Sequence, residues 1–165
     1  MPTIANRRQF LAFAVASALA GRPAGAAAPE AADRVRVRKA ERRLFLERKG
    51  ETIRSYPIRL GRHPLGPKIF EWDGRTPEGR YTIDGRTLNT PYHRALHVSY
   101  PNAENRERAR QYGIPPGGGI WIHGTPAETT RFQRDWTDGC IAASNAAIEE
   151  IWMLVADGTP IEIEP

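Results

Sequence analysis

The chain has 165 residues, 26% of them charged and 40% hydrophobic, a length and balance that suit one globular domain with its own core. The formal charge of +5 falls to +2 without the three arginines of the first 26 residues, which leaves no basic surface typical of nucleic-acid-binding proteins. A single cysteine excludes an internal disulfide, so Cys140 is a free thiol, a link to another chain or an inert buried side chain.

The N-terminal residues have the features of an export signal. Arg7-Arg8 precede an apolar stretch over residues 10–20 that is too short to span a bilayer, and Ala24-Gly25-Ala26 fits the Ala-x-Ala cleavage pattern. The paired arginines resemble a twin-arginine signal, with the general secretory route or an uncleaved anchor as alternatives. We therefore expect an exported, periplasmic protein with no transmembrane segment after cleavage.

Removal of residues 1–26 as a signal peptide leaves a short linker at 27–33 and one domain over 34–165. Alternating apolar residues and turn residues predict that this domain is mainly β, beginning with a meander. Strands are predicted, in chain order, at Val35–Arg38, Arg43–Glu47, Thr52–Leu60, Arg80–Asp84, Ala95–Tyr100, Ile120–His123 and Thr159–Ile163.

Helices are fewer than strands in this pattern. Residues 104–112 are compatible with a short helix before a Pro/Gly-rich break. The clearest helix follows the cysteine, because apolar residues recur at three- and four-residue spacing from Ile148 to Val155 after a cap at Ser144 or Asn145. Between the last two motifs, residues 124–138 form a loop long enough to be functional.

Cys140 and His123 form the pattern of a thiol nucleophile with its base. An imidazolium near Cys140 would lower the thiol pKa and produce a thiolate that attacks an amide carbonyl. Gly139 lets substrate approach the backbone, and the N–H groups of Asp138, Gly139 and Cys140 are candidate donors to an oxyanion. No metal is required for this chemistry.

Other cysteine- and histidine-dependent sites fit the residues less well. A zinc deaminase needs a glutamate where Thr125 stands, together with a second cysteine. Papain-like enzymes place the cysteine before the histidine, the reverse of the order here. His93 and His97 would share a strand face without a third ligand, so we expect them to be structural or substrate-facing, with no bound metal.

Two paired motifs give the sequence a family resemblance. Ile122-His123-Gly124-Thr125 and, after a gap, Thr137-Asp138-Gly139-Cys140-Ile141 resemble the signature of L,D-transpeptidase catalytic domains of the YkuD type. The stretches Gly66-Pro67-Lys68, Arg75–Gly79 and Val98–Asn102 extend the likeness over nearly all of residues 34–165. Either motif alone is weak, whereas the two in this order are specific.

The resemblance implies a β-sandwich-like, mostly antiparallel fold with one helix in the C-terminal half and a loop over the active cleft. It assigns the nucleophile to Cys140, the general base and acid to His123, and the carbonyl that orients the histidine to Gly124. Such an enzyme needs no cofactor. It takes the acyl group of a peptidoglycan tetrapeptide stem, releases D-Ala, and passes the group to another stem, a lipoprotein lysine or water.

One departure leaves the fate of the acyl group open. Many family members have arginine two residues after the nucleophile, whereas this chain has Ala142, as in a Gly-Cys-x-Ala branch that includes hydrolases. Acyl transfer to an amine is the first hypothesis, hydrolysis of the same intermediate the second, and a non-catalytic wall-binding protein the third. Candidate substrate contacts are Thr137, Trp136, His93, Lys68 and Arg131, with Arg80 and Arg86 as further cations.

Overall fold

A computed structural model describes residues 31–126 and 134–165. The signal peptide predicted at 1–26, residues 27–30 of the linker, and residues 127–133 of the predicted loop, including Arg131, lie outside the described residues. The described elements are β1 (Arg34–Arg38), β2 (Arg43–Arg48), β3 (Glu51–Pro57), β4 (Gly79–Thr87), β5 (Ala95–Val98), α1 (Ala103–Gln111), β6 (Trp121–His123), β7 (Ile141–Ala142), α2 (Asn145–Leu154) and β8 (Pro160–Glu164).

The strands form one sheet in the order β3-β2-β1-β8-β4-β5-β6-β7. Five of the pairings among these strands are antiparallel, and the β1–β8 and β6–β7 pairings are parallel. The prediction of a mainly β, mostly antiparallel domain is therefore confirmed. The last strand, β8, lies between β1 and β4 in the middle of the sheet. Its Ile161 and Ile163 pair with Val35 and Val37 of β1.

The two edges of the sheet approach each other beyond β3. The strand predicted as far as Leu60 ends at Pro57, and Arg59 then exchanges two backbone hydrogen bonds of 2.8 Å with Ala142 of β7. This pairing curves the sheet around its apolar interior, as expected of a sandwich-like domain. It also brings the segment after β3 to the start of the strand that follows Cys140.

Alternation along the strands separates an apolar core from a charged outer face. Val35 and Val37 of β1 and Leu44 and Leu46 of β2 are fully buried. The residues between them point outward, where arginines of β1 pair with Glu47, Glu162 and Glu164. The core thus accounts for the alternating pattern that predicted these strands.

Two helices complete the described part of the chain, and neither is long and apolar enough to cross a membrane. The helix left as an option at 104–112 is present as α1, begun by a reciprocal capping box between Asn102 and Asn105. Ser144 is the N-cap of α2, whose Ile148 and Ile151 lie in the core. Backbone hydrogen bonding in the described residues already involves Ala32, inside the predicted linker, whose N–H donates to the Leu154 carbonyl.

Candidate active site

His123 is the last residue of β6, and Cys140 directly precedes β7, the parallel strand beside it. Ile122 of β6 faces Ile141 of β7, and His123 faces Ala142. His123 follows the buried Ile122 on β6, and Cys140 comes directly before the buried Ile141 of β7. The fold therefore brings residues that are 17 positions apart in the sequence to neighbouring places at one edge of the sheet.

The His123 ring is buried, with 3% of the residue exposed, and its orientation is set by the next residue. Nδ1 lies 2.6 Å from the Gly124 carbonyl oxygen. Since a carbonyl only accepts hydrogen bonds, Nδ1 carries the proton, and Nε2 of the neutral ring has a free lone pair. Tyr92 packs against the ring at 4.5 Å between centroids and Trp136 at 5.8 Å.

Burial keeps the imidazole neutral in the resting protein. It lowers the pKa of His123 below its ordinary value, and the hydrogen bond to Gly124 opposes this effect only in part. The ring is then a proton acceptor at neutral pH, as a general base must be.

Cys140 is partly buried directly before β7. Its Sγ lies 3.5 Å from the Gly119 carbonyl oxygen, to which the thiol donates. Burial raises the pKa of the Cys140 thiol, while the Trp121 N–H and the positive charge of Lys68 act in the opposite direction. Burial therefore favours the neutral form of both groups in the absence of substrate. The thiolate–imidazolium pair expected from the sequence stays a prediction.

The turn before Cys140 is held by Thr137. Its hydroxyl donates to the Cys140 carbonyl at 2.7 Å and accepts from the Gly139 N–H at 3.2 Å. Gly139 has φ +130°, and a Cβ there would lie 2.7 Å from the Arg75 carbonyl oxygen. Glycine is needed at this position because the Arg75 backbone lies against it. This reason is separate from the close approach of substrate that the sequence suggested.

These contacts change the interpretation of two predicted roles. Thr137 is buried and positions the nucleophile turn, whereas the sequence placed it among the substrate contacts. The Gly139 N–H is already engaged by Thr137, which leaves the N–H groups of Asp138 and Cys140 as the oxyanion donors to be considered.

A cavity of about 130 Å³ opens beside the thiol. It is lined by the glycine run Gly117–Gly119, by Ile120, and by Lys68, Glu71, Trp72, Asp138 and Cys140. A larger cavity of about 550 Å³ lies on the charged outer face of the sheet, and Cys140 does not line it. The smaller cavity is the candidate site because the candidate nucleophile Cys140 lines it.

Of the cations considered for substrate binding that lie within residues 31–126 and 134–165, Lys68 is the one that lines this cavity. It is 3% exposed, and its Nζ donates to Asp73 at 2.8 Å. Arg80 pairs with Glu162 on the outer face, and Arg86 donates to the Val155 carbonyl at the end of α2. Among Lys68, Arg80 and Arg86, the fold thus favours Lys68 as the cation beside Cys140.

The other two predicted contacts lie on the histidine side of the site. Trp136 packs against His123, and the His93 Nε2 pairs with the Glu149 carboxylate on α2. His97 pairs separately with Asp84, so the two histidines have different partners. His93 therefore joins the segment before β5 to α2.

Sequence reasoning missed the residues that support the histidine loop. Asn145 Oδ1 accepts from the Thr125 N–H at 2.8 Å, and Thr125 Oγ1 donates to the Ala143 carbonyl at 2.9 Å. A Cβ on Gly124 would lie 2.5 Å from Asn145 Oδ1, which explains why glycine follows the histidine. The aromatic ring of Tyr92 had no sequence signal, since only the fold brings it to His123.

Comparisons with known proteins relate the chain to one family. Residues 32–163 match the model of the YkuD family, described as the L,D-transpeptidase catalytic domain. The chain is 31% identical over 127 residues to "Putative L,D-transpeptidase YafK" of Escherichia coli (strain K12), covering 73% of this chain and 46% of that protein. The chain thus spans about half the length of the curated relatives it matches.

Solved structures show the same fold. The helical cell shape determining protein Pgp2 from Campylobacter jejuni is 27% identical, with a TM-score of 0.63 over 79% of this chain and 46% of that chain. An L,D-transpeptidase from Mycobacterium smegmatis is similar with a TM-score of 0.54 over 80% of this chain and 58% of that chain, at 18% identity. The second likeness concerns the fold alone.

Proposed function

The chain belongs to the L,D-transpeptidase catalytic domain family, and on this premise we propose that it transfers acyl groups from peptidoglycan stem peptides through a thioester on Cys140. The observation that carries the proposal is the 2.6 Å contact between His123 Nδ1 and the Gly124 oxygen. This contact leaves Nε2 of a neutral imidazole as the acceptor for the thiol proton, on the strand next to the nucleophile.

The first half-reaction forms the thioester. The sulfur of Cys140 attacks the carbonyl carbon of the third stem residue while the thiol proton moves to His123 Nε2. The carbonyl oxygen becomes an oxyanion that accepts hydrogen bonds from the N–H groups of Cys140 and Asp138. The C–N bond to D-Ala then breaks, and its nitrogen takes the proton from His123.

The second half-reaction releases the acyl group to an amine. The acceptor nitrogen attacks the thioester carbonyl, its proton moves to Nε2, and the sulfur leaves and is reprotonated by the imidazolium. Water in place of the amine would make the same site a carboxypeptidase or endopeptidase. The two outcomes share Cys140 and His123 and differ only in the nucleophile admitted to the cleft.

Lys68 supplies the positive charge at this cleft. Ala142 stands where many family members have arginine. Among the described residues that line the cavity with Cys140, the one basic side chain is that of Lys68. Its charge lowers the pKa of the thiol and favours the negative charge that develops on sulfur and on the attacked carbonyl oxygen. We assign to Lys68 the attraction of a substrate carboxylate as well.

The proposed substrate places the protein outside the cytoplasm. Export through the twin-arginine-like segment in residues 1–26, or through the general secretory route, would deliver the domain to the periplasm, where stem peptides and a wall-linked lipoprotein are available as partners. The likeness to a cell shape determining protein supports a role in remodelling the wall.

The decisive experiment incubates the purified protein with disaccharide tetrapeptides and identifies the products by mass. We expect a covalent adduct on Cys140, release of D-Ala and a cross-linked dimer, and we expect Cys140→Ala to lose all three while keeping its fold. Free tripeptide without a cross-linked dimer would show that the acyl-enzyme is hydrolysed and not transferred to an amine. Full turnover by Cys140→Ala would rule out a Cys140 thioester for both reactions. Binding of the substrate with no turnover by the wild-type protein would instead support the non-catalytic wall-binding protein.

A further inference from the structure

Trp72 is an exposed aromatic residue at the rim of the Cys140 cavity. It is 75% exposed, and its backbone has φ +68°, a left-handed conformation. Exposure of a large indole forgoes the free energy of burial, and a bulky residue at positive φ is strained. Strain of this kind persists at ligand-binding sites when the surrounding structure holds it in place.

The turn around Trp72 provides that support. The Asp73 carboxylate accepts hydrogen bonds from Lys68 Nζ at 2.8 Å, from the Ile69 N–H at 2.8 Å and from the Arg75 N–H at 3.0 Å. On the other side, the Glu71 N–H donates to the Pro115 carbonyl at 2.8 Å. The indole is therefore held outward by a hydrogen-bonded turn.

The size of the cavity decides which part of a peptidoglycan substrate meets the indole. A volume of about 130 Å³ is that of roughly four water molecules, so it holds part of a stem peptide but no sugar. Three extended residues between the scissile carbonyl and the sugar span about 10 Å. An extended stem with its scissile carbonyl at Cys140 would then place its sugar outside the cavity, on the side where Trp72 is exposed.

We propose that Trp72 binds the glycan strand by stacking its indole on the sugar that carries the stem peptide, with the Glu71 carboxylate accepting hydrogen bonds from the sugar. This inference rests on the proposed function and extends it from the peptide to the glycan. A pyranose ring has a face of C–H groups that packs on an aromatic ring, and hydroxyl and amide groups that donate to a carboxylate.

Binding by the inactive Cys140→Ala protein tests this proposal. Isothermal titration calorimetry compares the disaccharide tetrapeptide with the same tetrapeptide lacking sugars. We expect the glycosylated ligand to bind more tightly, and Trp72→Gly to reduce this preference about three- to tenfold. Trp72→Tyr should keep most of it, because the aromatic face remains.

Two controls separate stacking from folding. Trp72→Gly removes the strained side chain at positive φ, so its melting temperature should not fall. Met153→Ala removes another exposed apolar side chain, 67% exposed and on α2, and should leave the preference for sugar unchanged.

The possible failures are distinguishable. An unchanged preference in Trp72→Gly, or equal weakening of both ligands, would overturn the glycan contact and leave acyl transfer standing. Sugar-dependent binding lost in Trp72→Gly, together with no turnover by the wild-type protein, would support the glycan contact and contradict the proposed reaction.

Discussion

At the scale of single residues, burial decides the charge of both reacting groups. The pKa of His123 is lowered and that of Cys140 is raised, so burial favours the uncharged form of each group. This differs from an activated thiol that is already ionised before substrate binds. In the proposed reaction, transfer of the thiol proton to His123 would then accompany attack on the carbonyl.

The pH dependence of thiol alkylation distinguishes these two states. We expect the rate of Cys140 alkylation to rise only above the ordinary thiol pKa of about 8.5, and to keep this profile in His123→Ala, because a neutral imidazole does not stabilise the thiolate. Turnover should fall about 10²- to 10⁴-fold in the same variant. In the wild-type protein, turnover should be lost on acidification only below about 6.5, since His123 stays neutral to lower pH.

Alkylation that titrates near neutral pH would contradict the neutral pair. So would a marked upward shift of the profile in His123→Ala, because this is the result expected if an imidazolium stabilised the thiolate.

Lys68 and Asp73 form a buried ion pair that shapes the cavity. Burial alone would raise the pKa of Asp73, but hydrogen bonds from Lys68 and from the Ile69 and Arg75 N–H groups outweigh it and lower the pKa. The stability that Asp73 contributes is thus present above its unfolded pKa of about 3.9 and lost as the pH falls through the lower folded value.

Replacement of Lys68 by methionine should reduce the free energy of unfolding by about 3 kcal/mol near neutral pH, because the Asp73 charge stays buried without its cation. Urea denaturation measures this loss. The double variant Lys68→Met/Asp73→Asn should recover part of it, since the asparagine oxygen still accepts backbone hydrogen bonds without a charge. A loss below about 0.5 kcal/mol would mean that the pair is solvated as surface pairs are.

At the scale of elements, the nucleophile turn depends on close contact between two chain segments. Thr137 closes the turn through its hydroxyl, and Gly139 packs against the carbonyl of Arg75. The Arg75 segment follows Asp73, so the turn that carries the buried ion pair also supports the turn that carries Cys140. A change in one should therefore move the other.

Gly139→Ala tests this packing. We expect it to lower the free energy of unfolding by about 3 kcal/mol and to reduce turnover, because the added Cβ strikes a backbone oxygen at a φ that only glycine adopts without strain. The matched control is Gly50→Ala, which also has positive φ but nothing within 4 Å of the new Cβ. It should cost only about 1 kcal/mol in guanidinium denaturation. Equal costs for the two variants would show that Arg75 yields.

At the scale of the whole molecule, the sheet is assembled from the two ends of the described chain. β8 lies between β1 and β4 and joins the meander of β1–β3 to the half that carries His123 and Cys140. The hydrogen bonds between Arg59 and Ala142 connect the same halves at the edges. The site therefore requires the complete sheet, although its reacting residues come from two short strands.

Truncation after Gly158 should abolish cooperative folding, because it removes β8, the strand with which both halves of the sheet pair. It also removes Ile161 and Ile163 from the core. Near-ultraviolet circular dichroism and thermal melting measure the effect. Removal of Pro165 alone is the control and should change little, since this residue is exposed and outside β8. A truncated protein that melts cooperatively would show that β1 and β4 pair without β8.

Local sequence patterns predict many of the observed strands and helices. Alternation in β1 and β2 and three- and four-residue spacing in α2 are properties of neighbouring residues, so the sequence predicts them directly. The strand predicted to Leu60 was wrong beyond Pro57, because those residues are buried by pairing with a remote segment. Periodicity does not distinguish residues buried within a strand from residues buried by contact with a remote segment.

The sequence by itself predicted the mainly β class, most of the strands, the helix after Cys140, and His123 and Cys140 as candidate base and nucleophile. Only the tertiary structure decided that β8 lies at the centre of the sheet, that Lys68 rather than Arg80 or Arg86 lines the cavity, and that Thr137 supports the nucleophile turn. The physical reason is that solvation, charge state and packing depend on residues distant in the sequence, and a motif records only the residues next to one another.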